Sequence, residues 1–397
     1  MDFALSPELA SLRDQVRAFV DDRILPVEAE LFTEDARGED TTMRRLQQKA
    51  RDAGLWTPHL AVDLGGKGLG PMGMGALFRA MGRSFAGPRV FNCDAPDQGN
   101  MDLLANVASP AIRERYLEPL CNAEITSAFC MTEPAPGAGA DPSNLRTTAR
   151  QDGDEWVIDG HKWYSTGGEA ASFLIVMART SDDPRSGASM FVVERDAPGV
   201  EFVREIDTMG TPFLAHREAE FRFNGVRVSQ DAVLGGIGEG FRLAQKRLVP
   251  ARLTHCMRWL GMADRTLHMC REYVATRKSF GKELARHQQV QVMLARGAMD
   301  VHQGNLMTMH CAWMLEQGED KAARPYSSMA KLHVARALCR ILDDAIQMHG
   351  GLGFSEDVPF GRWYRNARAA RIADGPDEVH VMVVARDFLL GRLELLV

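Results

Sequence analysis

The spacing of apolar residues changes twice along this chain, and that change excludes most folds. Leu9, Leu12, Val16 and Phe19 recur at intervals of three and four, one face of a helix, after Ser6-Pro7, an N-cap followed by a first-turn proline. Pro26 interrupts the pattern and a glycine-rich loop spans Leu64–Gly70, with helical spacing resuming at Met72–Gly82 and Ala111–Leu120. From about residue 123 to 236 the period falls to two. Trp156-Val157-Ile158 precedes the turn dipeptide Asp159-Gly160, Phe173–Met177 and Met190–Val193 are short buried-strand runs, and Glu220–Val228 alternates around Asn224-Gly225, which reads as a hairpin turn. From about 237 the helical period returns, with candidate helices Glu239–Thr276, Gln288–Glu316, Pro325–Met348 and Pro376–Leu390. Strands that follow one another without intervening helices argue against a doubly wound sheet. The expected fold is α+β and multidomain: an N-terminal α-helical domain (1–122), a central antiparallel β-domain (123–236) and a C-terminal four-helix bundle (237–397).

Composition narrows the function classes. With 397 residues, 45% hydrophobic, the chain can bury a large core. A net charge of −6 and only 7% aromatics argue against a nucleic-acid binder. Seven scattered cysteines without a CxxC read as reduced thiols. The N-terminus lacks an apolar signal core and no run approaches a membrane span, so a soluble cytoplasmic protein is expected. The 21 methionines, many within Met293–Met314, read as core gap-fillers. His216, His255, His287, His349 and His380 each stand alone, without metal-ligand spacing, so no metal site is expected. HExxH, GxSxG and Walker A motifs are absent. Gly350-Gly351-Leu352-Gly353 follows a helix instead of a strand, and Gly235–Gly240 has the wrong spacing, so neither is a dinucleotide fingerprint.

Three short segments concentrate chemistry. Phe129–Asp141, where helix gives way to sheet, is rich in small residues that let a flat ligand approach the backbone. Trp163–Gly168 is a polar-aromatic patch, and Arg277–Lys282 ends a helix. Their combination resembles the acyl-CoA dehydrogenase family over nearly the whole chain. Thr132–Asp141 is similar to the family's Thr-Glu-Pro-Gly-Ala-Gly-Ser-Asp motif, with one extra residue and Ala140 at the serine position. Gln347–Asp357, continuing to Arg362 and Asn366, resembles its C-terminal pattern. Arg277-Lys278-x-Phe280-Gly281-Lys282 with His287-Gln288 matches its basic box, and Gly54–Gly70 one of its loops.

The resemblance implies an FAD-dependent enzyme of fatty-acid β-oxidation that removes an α-proton and a β-hydride from an acyl-CoA and passes electrons to an electron-transferring flavoprotein. It implies a homotetramer, built as a dimer of dimers. By motif match, Phe129, Met131, Thr132, Tyr164, Ser165 and Thr166 would line the flavin, and Arg277 would meet the pyrophosphate. Phe280, Gln288, Gln347, Gly350 and Gly351 would hold the adenosine part, across a subunit interface, with Pro376 and Glu378 also near the cofactor. Ala140, Arg252, His255, Arg258 and Gly375 would contact substrate.

The family's C-terminal Glu base corresponds to Asp374, with Arg252 supporting it and Glu378 in reserve. Asp374 is also a plausible helix N-cap. An Asp reaches about 1.5 Å less than a Glu, and a misplacement of ~1 Å costs on the order of 100-fold. An Asp base also occurs in a nitroalkane-oxidising branch of the superfamily, so a flavin oxidase of the same fold stays open, as does a non-catalytic flavin- or CoA-binding scaffold. Asn92–Met101 and His255–Arg258 resemble a subgroup linked to 4-hydroxyacyl-CoA breakdown, whose eukaryotic members carry a kinase-like domain for which this chain has no room. An acyl chain with a polar or phosphorylated substituent, met by His255 or Arg258, follows from that resemblance.

Overall fold

The computed structural model describes residues 4–183, 187–209 and 217–395, so His216 lies outside the described residues. The chain forms an N-terminal helical domain, a central β-domain and a C-terminal helical domain. Helix α1 (Pro7–Phe19) starts where its cap residue allows: the Leu9 amide donates to Ser6 Oγ at 3.2 Å. Pro26 does not simply end it. The helix loosens into a π turn (Val20–Ile24) and a 3-10 turn (Leu25–Val27) before α2 (Glu28–Asp35). Then come α3 (Thr41–Asp52), α4 (Pro71–Met81), α5 (Gly87–Val90), α6 (Asp97–Val107), and the short α7 (Pro110–Ile112) and α8 (Glu118–Cys121).

The sheet contains β1 (Ser127–Cys130), β2 (Thr148–Asp152), β3 (Glu155–Thr166), β4 (Phe173–Arg179), β5 (Ala188–Glu194), β6 (Val200–Glu205), β7 (Glu218–Ser229) and β8 (Val233–Leu234). Its order is β6-β7-β3-β2-β4-β5-β8, with β1 beside β4. Pairing is mainly antiparallel, but β1 and β2 both meet β4 in parallel. The expected antiparallel domain thus includes parallel partners at β4, which meet through a crossover that local alternation does not encode. Strand β4 is apolar and buried on both faces. Phe173, Ile175 and Met177 face a cluster with Leu103, Leu104 and Leu243, whereas Leu174, Val176 and Ala178 face Trp156, Phe191 and Phe221. A strand covered on both sides has no polar face to alternate with.

Neither turn dipeptide is a turn. Asp159-Gly160 lies inside β3 and Asn224-Gly225 inside β7. Ile158 pairs with Val226 and Gly160 with Phe223, so one residue of β3 opposes two of β7. Gly225 has φ +65°, and its amide donates to Asp159 Oδ1 at 2.7 Å. The residues that would close a hairpin form a β-bulge instead.

Helix α9 (Gly240–Thr276) begins the C-terminal domain, followed by the small hairpin β9 (Lys278–Ser279) and β10 (Lys282–Glu283). Next are α10 (Gln288–Glu316), α11 (Asp320–His349), α12 (Gly351–Phe354), α13 (Phe360–Ala367) and α14 (Asp377–Leu389), of which α9, α10, α11 and α14 form the bundle. Pro325 does not start α11, which begins at Asp320 and carries the proline in its second turn. Met309 and Met314 are buried fillers, but Met299 is exposed in line with Val292 and Leu306. All seven cysteines are free and buried. Among the described residues no helix is long and apolar enough to cross a membrane.

The N-terminal domain meets the bundle where α4 crosses α9, and the crossing is too close for side chains. A Cβ on Gly82 would lie 2.2 Å from the Arg258 carbonyl oxygen, and one on Gly261 would lie 2.1 Å from that of Arg79. Both obstructions are backbone and cannot rotate away. Gly261→Ala should therefore force the helices apart, destabilising the protein by about 1–3 kcal/mol and lowering the thermal midpoint; an unchanged midpoint would refute the close-contact argument.

Candidate active site

The turn before α14 carries the candidate base. Asp374 has φ +53° and Gly375 φ +103°. Asp is among the residues that tolerate the left-handed region best, and glycine occupies it freely. Two cations from different helices hold this turn by its carbonyls. Arg252 Nε on α9 donates to Asp374 O at 2.9 Å, and Lys331 Nζ on α11 donates to Gly375 O at 2.7 Å. Lys331 is fully buried. Beyond the turn, Asp377 pairs with Arg336 at 2.9 Å and Arg371 at 2.8 Å. Asp374 does not cap α14; Pro376 occupies the N-cap position. Glu378 is exposed, whereas the Asp374 side chain retains 19% of its surface.

The surroundings of the Asp374 carboxylate are polar. His255 Nε2 lies 3.3 Å from Oδ2, in ion-pair range but outside hydrogen-bond geometry, so Oδ2 is buried without a hydrogen-bond partner. Burial pushes this carboxyl up, yet His255 and the guanidiniums of Arg247 and Arg252 outweigh it and hold the group below the usual carboxylate range. Arg258 Nη2 lies 3.0 Å from His255 Nδ1, while its Nη1 donates to Cys93 O at 2.7 Å. The buried Arg247 donates to Asn100 Oδ1 at 2.9 Å and lies over the Phe129 ring, 4.2 Å from its centroid. Thr254 bonds Gln98 at 3.2 Å. Nearby on α6, burial pushes Asp97 up to about 6 and Asp102 up to about 7, against opposing hydrogen bonds from Ser127 and Gln98.

The Phe129–Thr132 segment is linked to the Asp374 group through Arg247, whose guanidinium lies over the Phe129 ring. Phe129, Met131 and Thr132 are half-buried. Its position depends on a buried ion pair that sequence reasoning missed. Lys162 Nζ, on β3, donates to Met131 O at 3.0 Å and to Glu133 Oε1 at 2.8 Å. Glu133 also accepts the amides of Ala138, Arg146 and Thr147 at 3.1, 2.8 and 2.8 Å, closing the loop that carries the exposed Ala140. Trp163 N donates to Thr132 O at 3.0 Å. Tyr164 is half-exposed with φ +51°, Ser165 is buried, and the Thr166 hydroxyl is taken by Glu218. The available signal for Lys162 was a lone lysine at an inward strand position.

The remaining cofactor candidates lie elsewhere. Arg277, Phe280, Gln288, Gln347, Gly350 and Gly351 are exposed and gather where α9 and α11 end and α10 begins, an end fixed by Tyr273 stacking on His349 at 4.1 Å. Arg277 forms no ion pair or side-chain hydrogen bond among the described residues. At 1.5 Å per residue, Arg277 is about 45 Å along α9 from Arg247. One chain therefore does not bring both groups to one ligand.

Family models for the acyl-CoA dehydrogenase N-terminal, middle and C-terminal domains match residues 6–124, 128–224 and 238–389. "Probable acyl-CoA dehydrogenase FadE2" of Mycobacterium tuberculosis is 38% identical over 97% of this chain and 96% of its own length. The chain belongs to the acyl-CoA dehydrogenase family. It is an oxidoreductase. Acyl-CoA dehydrogenase family member 11 of Rattus norvegicus is 34% identical over 97% of this chain, which spans about half (51%) of that relative's length. A solved chain from Mycobacterium abscessus superposes with a TM-score of 0.92 at 37% identity, covering 98% of this chain and all of that one. Butyryl-CoA dehydrogenase from Megasphaera elsdenii does so at 0.85 and 26%, with coverage of 98% and 100%.

In this acyl-CoA dehydrogenase the Glu133–Lys162 pair has a measurable signature. Burial raises the Glu133 carboxyl, but Lys162 and the Thr147 amide prevail and hold it at about 2. Its unfolded value is near ~4.3. A depressed native value means the stabilisation is complete above about pH 4.5 and is lost as pH falls toward 2. Glu133→Gln should flatten that part of the acid-unfolding curve, and Lys162→Met, which strands a buried carboxylate, should cost roughly 3–5 kcal/mol in denaturant melts. Wild-type acid sensitivity in the Gln variant would remove the pair from this role.

Proposed function

We propose that the protein is an FAD-dependent acyl-CoA dehydrogenase that converts an acyl-CoA thioester to its trans-2-enoyl-CoA. The observation that carries this reading is a carboxylate held ionised on a clamped turn and linked through Arg247 to the Phe129–Thr132 segment. Asp374 accepts the substrate α-proton. Arg252 and Lys331 hold its backbone, so the carboxylate reaches a fixed point. An acyl chain packed against it excludes water, which raises the affinity of Asp374 for a proton when one must be taken.

The residues present fit an FAD. The half-buried Phe129, Met131 and Thr132 with the half-exposed Tyr164 suit a flat ring system, and the unpaired guanidinium of Arg277 suits a pyrophosphate. When bound, the flavin supplies the acceptor for the hydride leaving the β-carbon. Since the Arg277 group lies at the far end of α9, its residues would serve the site of a second subunit in a homo-oligomer, a dimer of dimers by family resemblance. An electron-transferring flavoprotein is the proposed acceptor. The polar groups around Asp374, His255 and Arg258 above all, favour an acyl chain with a polar substituent over a plain long chain.

A flavin-bleaching screen across acyl-CoAs of varied length, branching and 4-substitution tests the reading. At least one should bleach wild-type enzyme anaerobically. Asp374→Asn should bind FAD and lose bleaching by at least ~100-fold; a fully active variant would move the base elsewhere. Rapid reoxidation of the bleached enzyme by air would replace the dehydrogenase with a flavin oxidase of the same fold.

A further inference from the structure

Beside the candidate base, Arg258 and His255 are joined by a hydrogen bond whose direction is fixed. Arg258 Nη2 sits 3.0 Å from His255 Nδ1. A guanidinium only donates, so Nδ1 must be the acceptor, without a hydrogen. In a neutral imidazole the other nitrogen then carries the hydrogen, and that nitrogen, Nε2, is 3.3 Å from Asp374 Oδ2. Arg258 is fixed at its other end by the Cys93 carbonyl, and His255 stacks on Trp259 at 5.2 Å and 21°. Neither ring nor guanidinium is free to swing away.

We propose that Arg258 locks His255 as the neutral Nε2–H tautomer, making His255 a positioning residue that keeps a fixed N–H dipole beside the catalytic carboxylate. The idea rests on Asp374 being the base. It assigns His255 a task distinct from substrate contact. The ring cannot relay the proton that Asp374 gains, because Nε2 already carries a hydrogen and Nδ1 is covered by Arg258. Its part is to favour the ionised carboxylate and to restrict its approach. Burial and Arg258 both keep the ring uncharged. The charged and titratable groups facing this pair are Arg247 and Arg252 on α9, Asp94 from the loop before α6, Lys331 on α11 and His380 on α14.

The pH dependence has a definite sign. Asp374 must be ionised to act, and its native value lies below the ordinary range, so wild-type kcat/KM should show no carboxylate limb above pH 5. Removing the N–H dipole with His255→Leu raises the proton affinity of Asp374. His255→Leu should lose roughly 10–100-fold in bleaching rate, and its activity should fall off at a higher pH on the acid side than that of wild type. His255→Gln, which restores an N–H at a similar reach, should recover most of both. Arg258→Met removes one of the two influences that keep the His255 ring uncharged, so its proton affinity should rise while burial still holds it below the ordinary range.

The tautomer can be read apart from activity by nitrogen NMR of 15N-histidine-labelled holoenzyme. Wild type should keep Nδ1 bare and Nε2 protonated from pH 5 to 9, and Arg258→Met should abolish that pattern. Should Arg258→Met not fold, the wild-type spectrum and the two His255 variants still decide. A wild-type Nδ1–H signal, or a His255→Leu profile that overlays wild type while Asp374→Asn is inactive, overturns the inference and leaves the base in place. An active Asp374→Asn removes both.

Discussion

The turn at Asp374-Gly375 is where the three parts of the site converge, and it is held by charge instead of by apolar packing. Arg252 and Lys331 each donate to a main-chain oxygen of this turn. Lys331 is fully buried and forms no ion pair among the described residues. A buried ammonium without a carboxylate is costly, and a carbonyl dipole offsets only part of that cost. The arrangement persists because Asp374 and Asp377 lie close enough to favour the charge. Cation, carbonyl and carboxylate are thus mutually dependent. Burial lowers the Lys331 value and the two carboxylates oppose that loss, while His255, Arg247 and Arg252 keep Asp374 ionised.

Helix α9 distributes this dependence through the molecule. Its first half carries Arg247, Arg252, His255 and Arg258. Each reaches a different neighbour: Asn100 on α6, the Asp374 turn, the carboxylate itself, and the Cys93 loop. These contacts require the N-terminal domain to lie hard against α9, and the glycine crossing at Gly82 and Gly261 permits it. This polar group is assembled only after the helical domain has docked.

The three-part architecture was legible because period depends on local geometry alone. The bounds of α10 were read from the pattern to the residue, since its ends coincide with the end of its apolar spacing. Register was not legible. Asp159-Gly160 and Asn224-Gly225 have the composition of turns, and only their meeting across two strands makes them a bulge. Of the candidate site, Asp374 and Arg252 were singled out by motif position, and Arg252 donates to the Asp374 carbonyl. Lys162, Arg247 and Lys331 were missed for one physical reason. A cation on a strand or helix reads as a solvated surface residue, and what makes it buried is a carbonyl, an aromatic face or a carboxylate far away in sequence.

The shortness of the acid gains meaning from that clamp. A glutamate has three side-chain torsions and can find its target from an imprecise backbone; an aspartate has two, so its carboxylate goes where its Cα is put. A left-handed residue followed by a left-handed glycine specifies the direction of departure narrowly. With Arg252 on one carbonyl and Lys331 on the next, the turn has little freedom to rotate. Less side-chain entropy is lost on fixing the carboxylate, and more of the positioning passes to the main chain. Loss of either backbone donor therefore acts on the same coordinate as lengthening or shortening the acid.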